Sequence, residues 1–187
     1  NPGSGKRNDA DQVEDLIKGI YQKAEKGLQT SRIDFSRLDE QLEEAIASGV
    51  KNIYAVGGDG TVNAIGSRLI GKSVNFGVIP NGSGNGYARN LGYSIKTRLA
   101  IQHSLNSWAI KVDTGLFYGR IFLNVAGIGL DGEVARIFDE GGQRGFRPYA
   151  KSTAEGLRSF QAEDVKMILD GEEFEFSELY GIDIDNG

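Results

Sequence analysis

Residues 53–66, IYAVGGDGTVNAIG, constrain the fold more than any other stretch of the chain. Apolar and aromatic residues run into two glycines, an aspartate, a third glycine and a threonine, and a helical pattern follows at once. A short apolar run bounded by glycine reads as a buried strand. Strand, glycine turn and helix in that order make one step of a parallel sheet covered on both faces. In such sheets ligands bind at the carboxyl ends of the strands, which is where this turn places its aspartate.

The same alternation runs through the first half of the chain. NPGSGKR opens as a loop, and Val13, Leu16, Ile17, Ile20, Tyr21 and Ala24 predict a helix from Asp9 that Gly27 can end. LQTSRIDFS is a poorly marked strand candidate. Leu38, Leu42, Ala45 and Ile46 predict a second helix with Gly49 as its stop. NIYAV and VNFGVIP read as strands, TVNAIGSRLI and GNGYARNLG as helices, and a further helix is expected over 95–105. After Trp108 the texture changes: WAIKVDTGLF and RIFLNVAG read as strands joined by the short turn YGR. Helices are expected over 130–138 and 149–161, around a loose DEGGQRGFRP loop. Asp170-Gly171 predicts a hairpin between VKMIL and EEFEF, and ELYGIDIDNG starts another strand.

These patterns predict an α/β N-terminal domain with a parallel sheet over 1–114 and a mainly β, sandwich-like C-terminal domain over 115–187. The boundary is expected within 113–116. The first strand of the N-terminal domain is read as missing and the second domain as incomplete, so the chain is read as a piece of a longer protein. Trp108 and the aromatics of 117–122 are expected in the core.

Composition narrows the function. A net charge of −5 argues against a general nucleic-acid binder, which needs a basic footprint. The absence of cysteine rules out disulfides and thiolate chemistry and fits a cytoplasmic setting. No apolar run approaches the 18 or so residues of a membrane span. His103 is the sole histidine and reads as a surface or packing residue of a helix; with no cysteine, this excludes a Cys/His zinc site, and a hydrolase triad on Ser4 or Ser83 would have to recruit His103 from a distance.

Glycine, at 27 of 187 residues, is clustered in NPGSGK, GGDGT and PNGSGNG. Such turns let backbone N–H groups converge on an anion, and a Cβ there would block phosphate oxygens. Each alone is also an ordinary turn; three in order, with a carboxylate, point to phosphate chemistry. An aspartate beside phosphates needs a cation or a proton, so Asp59 reads as a magnesium organiser or a general base in phosphoryl transfer. GIGLDG, with Gly127, Gly129 and Gly132, matches the spacing of a dinucleotide turn, but no strand ending in an acid follows about 20 residues later. These glycines read as tight packing. GSGK at 3–6 lacks the Ser or Thr of a P-loop, since Arg7 stands there.

NPGSGK, GGDGTVN and PNGSGNGYARNLG, followed by VDTG and FLNVAGIGLDGEVA, resemble the diacylglycerol kinase catalytic-domain family, which includes bacterial soluble lipid kinases and sphingosine kinases. The resemblance implies a nucleotide-binding α/β domain, a C-terminal β-sandwich that binds lipid and is only partly present over 115–187, and an ATP- and magnesium-dependent lipid kinase. It places ATP against Asn1, Gly3, Ser4, Gly5, Gly58, Gly60, Thr61, Val62, Asn63 and Ser83, with Ser36 a further carry-over. Asp59 becomes the catalytic residue and, through water, a magnesium organiser together with Asp113. The implied acceptor is a lipid such as diacylglycerol or sphingosine. The protein would then work in the cytoplasm, peripheral to the membrane; a homo-oligomer is left open. Two departures stand out. Many members carry glutamate where this chain has Ala64, and many bacterial members carry aspartate where it has Gly86. They motivate a second reading, a nucleotide- or lipid-binding relative without catalysis. A third keeps the chemistry but turns it on a soluble acceptor, as in NAD kinases.

Overall fold

Alternation along two adjacent strands explains the N-terminal architecture. In the computed structural model, which describes residues 9–140, 146–169 and 171–186, β1 (Asn52–Gly57) and β2 (Asn75–Pro80) pair in parallel from Asn52↔Asn75 to Gly57↔Pro80. Successive side chains of a strand point to opposite faces, so each strand feeds two cores. Ile53, Ala55, Phe76 and Val78 face one side, where they pack with Leu38 and Leu42 of α2 (Leu38–Ala47) and with Val62, Ile65 and Leu69 of α3 (Asp59–Leu69). Tyr54, Val56 and Ile79 face the other, against Ile17 and Tyr21 of α1 (Asp9–Lys23) and Ile101 of α5 (Thr97–Ser104). This is the expected parallel sheet with helices on both faces.

Within the second core the Tyr21 hydroxyl lies 2.8 Å from Ser104 Oγ, while the Tyr54 hydroxyl donates to the Ser104 carbonyl at 3.1 Å. Burial pushes the Tyr21 phenol above its ordinary pKa, so it stays neutral.

LQTSRIDFS, expected as a strand, forms none: 26–34 is irregular and ends in a single 3-10 turn, Phe35–Arg37. Two polar contacts there replace ladder bonds, with Ser36 N–H donating to Asp34 Oδ1 and Gln41 Nε2 donating to the Arg32 carbonyl. Among the described residues β1 therefore pairs with β2 alone, and its other side borders a groove of about 730 Å³ lined by α1, α2 and 26–33.

The described residues divide into two compact units, one of those up to Asn124 with Asn186, the other of those from Val125 to Asp185. This division falls later than the expected 114/115 boundary, for a physical reason. The hairpin of β3 (Gly115–Phe117) and β4 (Arg120–Phe122) is bound to α3: Asn63 Nδ2 donates to the Ile121 carbonyl at 3.4 Å and Asn63 Oδ1 accepts from Leu123 N–H at 3.1 Å. Leu123 is buried in the first core. WAIKVDTGLF is a strand only over its last three residues; 107–114 is irregular. Phe122 is buried as expected, but Trp108 is 84% and Tyr118 82% exposed, because no described segment packs over them.

In the second unit β5 (Val125–Gly129) pairs antiparallel with β8 (Gly181–Asp185), and β6 (Glu163–Leu169) with β7 (Glu172–Leu179). The connection between β6 and β7 carries Gly171 in the left-handed region, as the hairpin signal requires, while Asp170 lies outside the described residues. Helices α6 (Leu130–Glu140) and α7 (Phe146–Ser159) pack together, with Val134 against Gly156. Helix α7 starts earlier than the expected 149. The region is β-rich with a helix pair beside its strands.

Candidate functional site

Parallel pairing delivers two of the glycine clusters to one place. Asn81 N–H donates to the Gly57 carbonyl at 2.9 Å, one step beyond the last strand pair, so both turns leave the sheet at the carboxyl ends of β1 and β2. There they touch backbone to backbone. A Cβ on Gly82 would lie 2.4 Å from Gly58 Cα, and one on Gly58 would lie 3.2 Å from Gly82 Cα. Only glycine at 82 allows this approach, since real Cβ contacts do not come that close.

Asp59 opens α3 directly after Gly58, the residue that caps the helix. Its exposed carboxylate reaches across to the second turn, where Oδ1 accepts Tyr87 N–H at 3.1 Å. That N–H belongs to the first turn of α4 (Gly86–Asn90), whose leading amides lack partners within the helix. Oδ2 lies over Gly84, about where a Cβ there would come within 3.0 Å. The carboxylate thus spans the two turns with one oxygen engaged and the other turned to the glycine backbone.

Asn85 locks the second turn, a role not anticipated from the sequence. It sits in the left-handed region (φ 54, ψ 42) and is buried. Its Oδ1 accepts Gly82 N–H at 2.9 Å and its Nδ2 donates to the Gly82 carbonyl at 2.8 Å. Arg89 Nε holds the Gly84 carbonyl at 3.1 Å. A signal was present: asparagine is the residue other than glycine that best tolerates this conformation, and it stands at the entry to a helix. Asn90 and Asn124, whose amides pair at 2.7 Å beside Gly86, were equally unanticipated and carry no local signature.

The other expected residues separate into groups. Gly60 and Ser83 are exposed at the turns. Thr61 and Val62 are buried, Val62 within the first core with its N–H bonded to the Gly58 carbonyl. Asn63 spends both ends of its amide on the β3–β4 hairpin. Ser36 lies in the 3-10 turn, its hydroxyl donating to Asp34 Oδ1 at 2.6 Å. Asp113 is exposed, and its carbonyl accepts from Asn186 Nδ2 at 2.8 Å. Asn1, Gly3, Ser4 and Gly5 lie outside the described residues.

Among the described residues no three His, Asp or Glu side chains converge to hold a metal. One carboxylate, Asp59, spans the two turns, and magnesium met by so few protein oxygens would keep several waters. Nor, among the described residues, is any helix long and apolar enough to cross a membrane.

The chain is similar to known proteins in sequence and in fold. The model for the diacylglycerol kinase catalytic domain matches residues 1–117. A Pseudomonas syringae pv. syringae (strain B728a) protein named "Probable lipid kinase YegS-like" is 31% identical over 126 residues, 65% of this chain and 41% of that protein. The "Diacylglycerol kinase" of Mycobacterium tuberculosis (strain ATCC 25618 / H37Rv) is 33% identical over 75 residues, 40% of this chain and 24% of that one. A crystal structure of a diacylglycerol kinase from Bacillus anthracis str. Sterne is 25% identical with a TM-score of 0.69, covering 100% of this chain and 62% of that chain. The matches span less than half the length of these two curated relatives. With the family's domain matched over 1–117 and its two described glycine turns joined at Asp59, the chain belongs to the diacylglycerol kinase catalytic domain family.

Proposed function

We propose that this chain is most of a lipid kinase that moves the γ-phosphoryl group of ATP to a lipid hydroxyl, with 1–114 binding nucleotide and 115–187 forming part of a lipid-binding domain. The observation that carries the reading is the junction of the two turns at Gly58 and Gly82 with Asp59 spanning them. Phosphoryl transfer asks a protein for positioning and charge stabilisation more than for covalent chemistry. The exposed backbone at Gly60, Ser83 and Gly84 supplies N–H groups and close approach for phosphate oxygens. Thr61, Val62 and Asn63 act from behind by fixing the turn on the core and the hairpin. Asn1, Gly3, Ser4 and Gly5 remain the proposed third wall of the nucleotide site. Ser36 and Asp113 stay proposed peripheral contributors, the latter toward water around magnesium.

Asp59 Oδ1 is retained by Tyr87 N–H, which leaves Oδ2 to take the proton of an incoming hydroxyl. Magnesium bound to the nucleotide would neutralise charge on the phosphates. The proposed acceptor is a diacylglycerol- or sphingosine-like lipid, met by a cytoplasmic protein at the membrane surface.

The test is the full-length protein with ATP, magnesium and a panel of diacylglycerol, sphingosine and NAD. A phosphorylated lipid supports the reading, and phosphorylation of NAD alone replaces it with a soluble acceptor. One observation favours a binding-only relative: Asp59 already serves as the cap of α4. Thermal stabilisation by ATP with no product on any panel member would establish that second reading.

A further inference from the structure

Gly86 has a polar side chain on each side. A Cβ at Gly86 would lie 3.1 Å from Asn124 Nδ2 and 3.7 Å from Asp59 Oδ1, so an amide and a carboxylate flank the same open position. The Asn124 amide is oriented from its far end, where Oδ1 accepts Asn90 Nδ2 at 2.7 Å. Its Nδ2 is then the end beside Gly86, and it makes no hydrogen bond among the described residues. The backbone under Asn124 is also held. Leu123 N–H donates to Asn63 Oδ1 on α3, the helix that Asp59 begins, and the Asn124 carbonyl accepts Asn186 N–H at 2.8 Å.

A donor fixed beside a carboxylate has a chemical use. Asp59 alone repels phosphoryl oxygens, and the Nε of Arg89 is spent on the Gly84 carbonyl. A preorganised neutral N–H offsets that repulsion without adding charge and costs no reorganisation during reaction. We infer that Asn124 is a further residue of the phosphotransfer site, donating its side-chain N–H to a reacting oxygen held over Gly86 beside Asp59. That oxygen belongs either to the phosphoryl group or to the acceptor hydroxyl. Asn90 is a positioning residue that orients the amide. The inference rests on the phosphotransfer reading above.

Three variants of the full-length protein test it, assayed with MgATP and whichever lipid the wild type phosphorylates. Asn124→Leu removes the donor and the bond to Asn90, and kcat/KM is expected to fall about 10- to 100-fold. Asn90→Ala breaks the same bond but leaves the donor, and is expected to cost only about 2- to 5-fold. Asn124→Asp keeps an acceptor for Asn90 but loses the donor, and should behave like Asn124→Leu with an unchanged melting temperature. A higher KM for ATP assigns the oxygen to the phosphoryl group, and a higher KM for the lipid assigns it to the hydroxyl. Equal losses in Asn90→Ala and Asn124→Leu, or an active Asn124→Asp, would show a structural amide pair and overturn the inference while the kinase reading stands. A wild type that makes no product sinks the kinase reading first, and this inference with it.

Discussion

Two turns in this chain look alike on paper, GGDGT at 57–61 and GIGLDG at 127–132, yet their glycines work differently. In the first, the glycines meet another turn: Gly58 faces Gly82 and leaves backbone N–H groups at the mouth of two parallel strands. In the second, Gly127 and Gly129 are consumed inside a ladder, whereas Gly132 stands in α6 with nothing within 4 Å of where its Cβ would lie, so the tight packing expected of it is not found. Gly127 pairs with Asp183 and Gly129 with Gly181 in the β5·β8 pair, and a Cβ on Gly129 would fall 2.4 Å from the Tyr180 carbonyl oxygen. Gly129 also has φ +99, and Leu130 N–H donates to that same carbonyl at 2.7 Å. A glycine turn binds anions only where its amides are left over, and a place inside a ladder leaves fewer over than one beyond the strand ends.

The sharpest way to break this comparison is at Asp59. Asp59→Asn keeps an oxygen for Tyr87 N–H, so the melting temperature should hold while lipid kinase turnover falls about 100-fold or more. Normal turnover would reduce the carboxylate to a helix cap. Gly82→Ala drives a methyl group into Gly58 backbone, and chemical denaturation should show a loss of about 1–3 kcal/mol together with weaker ATP binding by calorimetry. Gly129→Ala should destabilise by a similar amount, about 1–3 kcal/mol, through strain at a positive φ and the Tyr180 contact. Its ATP affinity should stay at the wild-type value; loss of ATP binding in this variant would put nucleotide at the second turn after all.

The smallest effect serves as a control outside both turns. Hydrogen bonds from Lys18 and Thr30 hold the Glu14 carboxyl at about 2, well below the ordinary carboxylate range. Because the folded value is depressed, its stabilisation is present above the unfolded pKa of about 4.3 and is lost as pH falls toward about 2. Thr30→Ala should therefore shift the acid-unfolding midpoint slightly upward, the difference from wild type shrinking as pH falls through about 2. An unchanged midpoint would show that these surface bonds contribute nothing measurable.

Legibility in the sequence followed the range of the interactions. The helices α1 (Asp9–Lys23) and α2 (Leu38–Ala47) announce themselves because 3.6-residue periodicity is local, and NIYAV and VNFGVIP because buried parallel strands are nearly continuous apolar runs. LQTSRIDFS failed because a strand exists only with a partner, and polar contacts from Asp34 and Gln41 took its place. Trp108 failed for a related reason: hydrophobicity marks a residue that gains from burial, but neighbours distant in sequence decide whether burial occurs.

The amino-acid sequence by itself determined the α/β alternation, the glycine turns and the family, since each depends on residue type at short spacing. Only the tertiary structure decided which polar groups meet. Asp59 against Tyr87 N–H, Asn63 on the β3–β4 hairpin and Asn124 beside Gly86 depend on angles and distances between segments up to 60 residues apart. An asparagine or aspartate reads the same in a surface loop as in a site. The parallel register of β1 and β2, which carries both turns to the same edge, makes the difference.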